Sequence, residues 1–125
     1  MQIEMMKSKI HRATVTDADL SYEGSISIGP ELIKAAGFFV NEKVDIYNCN
    51  NGQRFSTYVI KGKNREITLN GAAARLVQKG DVVIIVSYCQ IDLKKAEKHL
   101  PQVVFVDGKN KITEKRQEKA VGARK

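Results

Sequence analysis

The sequence predicts a mainly β domain, in which short strands are joined by tight turns and by two or three small helices. β-Branched residues are frequent, apolar and polar residues alternate over short segments, and turn-forming residues recur at short intervals. With 125 residues, of which 42% are hydrophobic, the chain has the size and composition of one globular domain. The pattern alone is consistent with either a barrel or a sandwich.

The first half of the chain contains four predicted strands and one helix. The strands are expected over residues 6–15, 22–28, 43–49 and 54–61. A helix is expected over residues 30–36, because Pro30 suits a first helical turn and Gly37 suits a helix end. Between the last two strands, Asn50-Asn51-Gly52 predicts a tight hairpin turn.

The second half predicts three more strands and two helical segments. The strands cover residues 66–69, 82–88 and 103–106, and we expect the strand at 82–88 to be the most deeply buried. The Ala-rich segment 71–78 predicts one or two helical turns with Asn70 near their cap. A second helix is expected over 92–100, because Asp92 suits an N-cap and Pro101 follows the end.

Basic residues are concentrated at the C-terminus. Residues 109–125 carry +5 of the net charge of +7, so the body is close to neutral. We therefore expect a folded domain over residues 1–108 and a basic, flexible tail over 109–125. This distribution argues against nucleic acid as a partner, since a binding surface needs its charge on the folded body.

Several function classes are not indicated by the sequence. No apolar stretch approaches the roughly 20 residues of a membrane span, and no signal peptide is recognisable. Cys49 and Cys89 are not at metal-site spacing and, with only two histidines, predict no metal centre. We expect no membrane partner and a reduced, cytoplasmic location.

Four short segments stand out as candidates for chemistry. They are Lys9–Arg12, Tyr22–Ser25, Arg54–Tyr58 and Asn70–Ala74. By itself, Gly24-Ser25 is most simply a turn or bulge in which glycine supplies a positive φ and the serine caps a neighbouring backbone group. The functional interpretation is that the Ser25 hydroxyl attacks the Gly24 carbonyl carbon, which glycine leaves accessible.

Together, and in this order, the four segments resemble the bacterial aspartate 1-decarboxylase family. The run from Lys9 to Ser25 is similar to its N-terminal signature, and Ile46–Asn48, Asn51–Tyr58 and Asn70–Ala74 are similar to its central motifs. The resemblance covers about residues 1–108. It implies a six-stranded double-psi β-barrel with small connecting helices, assembled as a homotetramer with active sites between neighbouring subunits.

The resemblance also implies a self-cleaving proenzyme. Cleavage between Gly24 and Ser25 would give a β chain of residues 1–24 and an α chain of residues 25–125, with Ser25 converted into a pyruvoyl group. That group would form a Schiff base with L-aspartate, so that neither pyridoxal phosphate nor a metal is needed. The implied reaction is L-aspartate to β-alanine and CO₂, for pantothenate synthesis. The resemblance leaves open whether cleavage needs a helper protein.

Site residues follow from the same resemblance. Ser25 is the pyruvoyl precursor, Tyr58 the proton donor and Arg54 the group that binds the carboxylate remaining on the product. The other implied substrate-binding residues are Lys9, Thr57, Gly71, Ala72 and Ala73. Asn70, Tyr22 and His11 have supporting roles. For Asn70, capping of the helical turn and orientation of the pyruvoyl group both stay open, and for His11 a structural role stays open.

Each of these residues also has an ordinary structural interpretation as a strand, turn or surface residue. The alternative functions are a small basic β-barrel that binds nucleic acid and an uncleaved, inactive scaffold. Few aromatic residues (6%) argue against the first, and intact Gly24-Ser25 argues against the second.

Overall fold

A computed structural model describes residues 1–117, and strands dominate this part of the chain. The strands are β1 (Gln2–Thr14), β2 (Asp17–Asp19), β3 (Ser25–Ile28), β4 (Lys43–Asn48), β5 (Arg54–Lys61), β6 (Ile67–Asn70), β7 (Val82–Asp92), β8 (Gln102–Val106) and β9 (Ile112–Gln117). One α-helix, α1, spans Pro30–Ala36, and 3₁₀ helices span Gly71–Leu76 and Leu93–Lys98. The mainly β prediction is confirmed.

The strands form one hydrogen-bonded order, β2-β6-β3-β5-β4-β7-β1-β8-β9. The pairs β1/β8, β2/β6 and β3/β5 are parallel, and the remaining pairs are antiparallel. Nine strands therefore replace the six expected from the resemblance, partly because short edge strands such as the three-residue β2 join the sheet. No ladder joins β2 to β9 in residues 1–117.

The hydrophobic core lies on one face of this sheet. Ile10, Ile85 and Ile46 are register neighbours across β1, β7 and β4, and all three are fully buried. The expectation that residues 82–88 form the most deeply buried strand is wrong. Every residue of β3 and β6 is buried, whereas β7 is exposed at Tyr88. Both β3 and β6 are internal strands, with hydrogen-bonded neighbours on each side.

The predicted start of the flexible tail, residue 109, is too early in the chain. Residues 112–117 form β9, which pairs antiparallel with β8. Ile112 packs against the core, and the charged residues that follow it are exposed, as is common on a sheet edge. Residues 118–125, the rest of the predicted tail, lie outside the described residues.

Asn110 holds the turn before β9 against the body. Its Oδ1 accepts from the Thr14 N–H at 2.8 Å, and its Nδ2 donates to the Thr14 and Arg65 carbonyl oxygens at 2.8 and 3.1 Å. The side chain is buried, and its φ of 61° is a conformation that asparagine tolerates. These bonds connect the C-terminal hairpin to the end of β1.

The other predicted helices are shorter than expected and have 3₁₀ geometry. Asp92 caps the second of them, as predicted, by accepting from the Lys94 N–H at 3.1 Å. No helix within residues 1–117 is both long enough and apolar enough to span a membrane.

Candidate active site

Ser25 is the first residue of β3 and is completely buried. Its hydroxyl donates to the Glu23 carbonyl oxygen at 2.9 Å and accepts from Asn70 Nδ2 at 3.0 Å. Register pairing sets this contact, because Ser25 lies opposite Asn70 on β6. The bond to Glu23 spans the Gly24 peptide, so Ser25 Oγ is held beside the proposed cleavage point.

The Asn70 amide is shared between two hydroxyls. Besides Ser25 Oγ, its Nδ2 donates to Ser27 Oγ at 3.0 Å, and all three side chains are buried. Asn70 occupies the residue before the 3₁₀ helix, but its side chain makes no capping hydrogen bond. Of the two roles left open by the sequence, the geometry therefore favours orientation of Ser25 over helix capping.

Two glycines form the closest backbone approach in this region. A Cβ on Gly71 would lie 2.6 Å from Gly24 Cα and 2.7 Å from Gly24 N, and the φ of Gly71 is +67°. Both crowding and conformation therefore require glycine at position 71. A Cβ on Gly24, in contrast, would meet nothing within 4 Å, and its φ is not positive. The positive φ expected at Gly24 is therefore absent, whereas the Ser25 hydroxyl does bond to a neighbouring backbone group, the Glu23 carbonyl oxygen.

Tyr58 and Thr57 lie on the strand next to Ser25. Ile26 pairs with Val59 in the parallel β3/β5 ladder, so Tyr58 lies level with Ser25, at the strand spacing of about 4.8 Å. Thr57 comes one residue earlier, toward the level of Gly24, and both side chains are half-buried. Next to Gly71, Ala72 is exposed and Ala73 is half-buried.

Arg54 belongs to a second group on the sheet surface. Its guanidinium lies over the Tyr47 ring, 4.1 Å from the centroid, and the Tyr47 hydroxyl is 2.6 Å from that of Tyr88. Burial, followed by the hydrogen bond to Tyr47, raises the pKa of Tyr88 to about 12. Beside Arg54 is a cleft of about 230 Å³ lined by Asp45, Tyr47, Arg54, Phe55 and Ser56.

A single chain does not bring all the predicted site residues together. Arg54 precedes Tyr58 by four residues on β5, about 13 Å along an extended strand. Lys9 is on β1, which three strands separate from β3 in the hydrogen-bonded order. His11 is also on β1, where its ring meets Phe105 edge-on with a 5.4 Å centroid separation. Tyr22 is exposed, although its carbonyl oxygen lies against Gly71.

Sequence reasoning quoted Tyr47 within a motif without assigning it a role, and it missed Tyr88. The two tyrosines are 41 residues apart in the sequence. They are not register partners, because Tyr47 pairs with Ile84, four residues before Tyr88, so their hydroxyls meet diagonally between β4 and β7. Within residues 1–117, no cluster of three or more His, Cys, Asp or Glu side chains could hold a metal ion.

Comparisons with known proteins all lead to one family. The sequence model of the family described as "Aspartate decarboxylase" matches residues 1–113. A protein of Bdellovibrio bacteriovorus named "Aspartate 1-decarboxylase" is 70% identical over 118 residues, which is 94% of this chain and 95% of the relative. A protein of the same name from Campylobacter concisus is 63% identical over 90% of this chain and 97% of its own length. Another so named, from Pelotomaculum thermopropionicum, is 58% identical over 98% of this chain and 94% of its own length.

Proposed function

The chain belongs to the aspartate decarboxylase family, and we propose that it converts L-aspartate to β-alanine and CO₂ by means of a pyruvoyl group made from its own Ser25. The observation that carries this proposal is the buried contact of Ser25 with Asn70, directly beside the Gly24–Gly71 approach. The family match over residues 1–113 supports the same reaction. The product would serve pantothenate synthesis in the cytoplasm.

The surroundings of Ser25 fit its proposed conversion. Neither crowding nor a positive φ requires glycine at position 24, so the missing side chain is explained by access to the Gly24 carbonyl carbon. The hydroxyl oxygen of Ser25 is held by its bond to the Glu23 carbonyl oxygen, which reaches back across the Gly24 peptide. The contact of Asn70 with the same atom supports an orienting role for Asn70. The position of Thr57 on β5, toward the level of Gly24, supports a role in polarising the Gly24 carbonyl.

Self-cleavage would proceed in three steps. Ser25 Oγ attacks the Gly24 carbonyl carbon, and the peptide C–N bond breaks to give an ester and a free Ser25 amine. Loss of the Cα proton and of the Cβ–O bond then releases the Gly24 carboxylate and leaves dehydroalanine. Water hydrolyses dehydroalanine to the pyruvoyl group and ammonia. The products are the chains 1–24 and 25–125.

In the decarboxylation itself, the pyruvoyl group supplies an acceptor for the electron pair left when CO₂ departs. We assign the protein's remaining work to side chains and backbone around it. Tyr58, level with residue 25, donates the proton to the substrate Cα from its phenol hydroxyl. Thr57 and the backbone N–H groups of Gly71, Ala72 and Ala73 contact the substrate.

Arg54 is assigned to the carboxylate that stays on the product. Within residues 1–117, its guanidinium makes no hydrogen bond or ion pair, so its donors are available for bidentate pairing. Strong pairing to the departing carboxylate would instead stabilise the ground state more than the transition state. Lys9 adds a second positive charge to the proposed pocket.

The separation of Arg54 and Lys9 from Ser25 is explained by the proposed assembly. In a homotetramer of α and β chains, built on the double-psi barrel of the family, a neighbouring subunit would supply these two cations. Exposed apolar side chains support such contacts. Leu20, Tyr22, Phe39 and Val40 are each more than half exposed in one chain, and their coverage would favour association.

The first test is an intact-mass spectrum of the purified protein under denaturing conditions. We expect two fragments that meet between Gly24 and Ser25, with the larger one lighter than its serine form by one ammonia. The same preparation should release β-alanine and CO₂ from L-aspartate. A chain that stays uncut and inactive, even after incubation with extract from its source cells, would favour the scaffold alternative.

The matched control is Ser25→Ala. This variant lacks the attacking oxygen, and we expect a folded, single-piece protein without decarboxylase activity. Extract that restores cleavage to the wild type but not to Ser25→Ala would identify a helper requirement. Wild-type turnover by Ser25→Ala would contradict the proposed mechanism.

A further inference from the structure

Arg54 lies at the end of a row of three side chains that crosses three strands. Tyr47 on β4 is the register partner of Arg54 on β5. Tyr88 lies on β7, the other neighbour of β4, four residues beyond Ile84, which is the register partner of Tyr47. The contacts run from the guanidinium to the Tyr47 ring at 4.1 Å and from the Tyr47 hydroxyl to the Tyr88 hydroxyl at 2.6 Å. Sequence motifs gave neither tyrosine a role.

The Tyr47 ring provides a platform for the guanidinium. A cation over an aromatic face is attracted by the ring quadrupole, and the flat guanidinium stacks on it without using its N–H donors. Those donors form no hydrogen bond or ion pair within residues 1–117. The ring therefore fixes the plane of Arg54 while leaving its edge available to a carboxylate.

Tyr88 in turn fixes the ring. The two hydroxyls are at the short end of O–H···O distances, and their bond connects β4 to β7 through side chains. Tyr47 is half-buried, and Tyr88 is 38% exposed. Solvent can therefore reach this part of the surface, and the hydroxyl contact restrains an aromatic ring that would otherwise sample more rotamers.

We propose that Tyr88 is a positioning residue, which acts through Tyr47 to hold Arg54 in the orientation that binds the side-chain carboxylate of aspartate. This inference rests on the proposed function, because it assigns the substrate contact to Arg54. That carboxylate is unchanged during the reaction, so it is bound equally in the ground state and the transition state. Loss of the restraint should raise KM and leave kcat nearly constant.

The test compares Tyr88→Phe, Tyr47→Phe and the double variant in the self-cleaved enzyme. Each single change removes one hydroxyl and keeps both rings, so the stacking surface under Arg54 remains. Loss of one hydrogen bond predicts an increase in the KM for aspartate of about two- to tenfold in each single variant. Because both changes remove the same bond, the double variant should be no worse than either one.

Thr113→Val is the matched control. It removes a hydroxyl that donates to the Phe105 carbonyl oxygen at 3.3 Å, on the edge strand β9, and we expect wild-type KM. Tyr47→Leu tests the stacking surface itself, since it removes the ring under Arg54 as well as the hydroxyl. It should raise KM more than Tyr47→Phe does.

The outcomes separate the inference from the proposed function. If the wild type forms no β-alanine from aspartate, both the proposed function and the positioning role of Tyr88 are contradicted. If the wild type is active and Tyr88→Phe has wild-type KM, or lowers kcat alone, the positioning role is contradicted and the function stands. Additive increases in KM in the double variant would also contradict it, because separate effects of the two hydroxyls would then be responsible.

Discussion

At the scale of single residues, the two glycines of the site are constrained in different ways. Gly71 has a positive φ and no room for a side chain, whereas Gly24 has no positive φ and has open space where a Cβ would lie. A packing constraint explains the glycine at position 71, whereas the proposed attack on the Gly24 carbonyl carbon would explain the glycine at position 24. The two cases differ in φ and in the surrounding atoms, neither of which a sequence shows, and the positive φ expected at Gly24 was therefore wrong.

We expect Gly71→Ala to impair both stability and self-cleavage. The new Cβ would force the chain away from Gly24, adding about 1–3 kcal/mol of overpacking strain to the cost of a left-handed alanine, about 1–2 kcal/mol. Thermal unfolding would measure the first effect, and the uncut fraction in intact-mass spectra the second. Gly37→Ala is the control, because its φ of +71° is similar but its Cβ would have open space. Equal losses in the two variants would mean that the contact with Gly24 is unimportant.

Tyr58→Phe tests the proposed proton donor without changing the shape of the side chain. We expect this variant to self-cleave, because Ser25 and Asn70 keep their contacts. Its kcat should fall by about a hundredfold or more, the usual contribution of a positioned general acid, with little change in KM. A processed variant with wild-type kcat would exclude Tyr58 as the donor.

At the scale of secondary structure, prediction succeeded where the signal is local. Pro30 and Gly37 delimit α1 at the residues expected, and β5 has the bounds that its alternation predicted. β9 was missed because its charged residues resemble a solvated tail, and its strand conformation depends on β8, whose edge it covers. The Tyr47–Tyr88 contact was missed for the same reason, since it depends on the pairing of distant segments.

A substitution at Asn110 would measure how much its hydrogen bonds contribute to holding the C-terminal hairpin against the body. Asn110→Gly keeps the positive φ but removes three hydrogen bonds to the backbone of Thr14 and Arg65. Because these backbone groups would lose their partners, we expect a loss of about 2–4 kcal/mol in the free energy of unfolding. Urea unfolding at matched protein concentration, in the uncut Ser25→Ala background, would measure it.

Asn41→Gly is the control for Asn110→Gly. Asn41 also has a positive φ, 75°, but it is exposed and its side chain makes no hydrogen bond within residues 1–117. We expect a change near zero. A comparable loss in both variants would show that the backbone conformation, rather than the side-chain bonds, holds the hairpin.

At the scale of the whole molecule, the site divides between two places on one chain. Ser25, Asn70, Gly71 and Tyr58 lie together on β3, β5 and the end of β6, whereas Arg54 and Lys9 lie elsewhere on the sheet. The sequence motifs identified both sets because each is a local run of residues. Their distance in one chain could not be predicted from motifs, since it depends on strand order and register.

A shared site between subunits predicts recovery of activity from two defective chains. Ser25→Ala lacks the proposed pyruvoyl precursor, and Arg54→Ala lacks the proposed carboxylate contact, so each should be nearly inactive alone at low aspartate. Co-expressed, an Arg54→Ala subunit would contribute Ser25 and its Ser25→Ala neighbour would contribute Arg54. With random mixing of chains, about a quarter of the sites should be complete.

The measurement is β-alanine formation by the co-expressed pair at low aspartate, normalised to total protein. The control pair is Ser25→Ala with Tyr58→Phe, whose residues lie level on adjacent strands of the same chain. A site that takes both residues from one chain cannot be rebuilt from that pair, so its activity should stay low. Recovery in the first pair alone would place Arg54 across a subunit boundary from Ser25, while no recovery in either would require both to act within one chain.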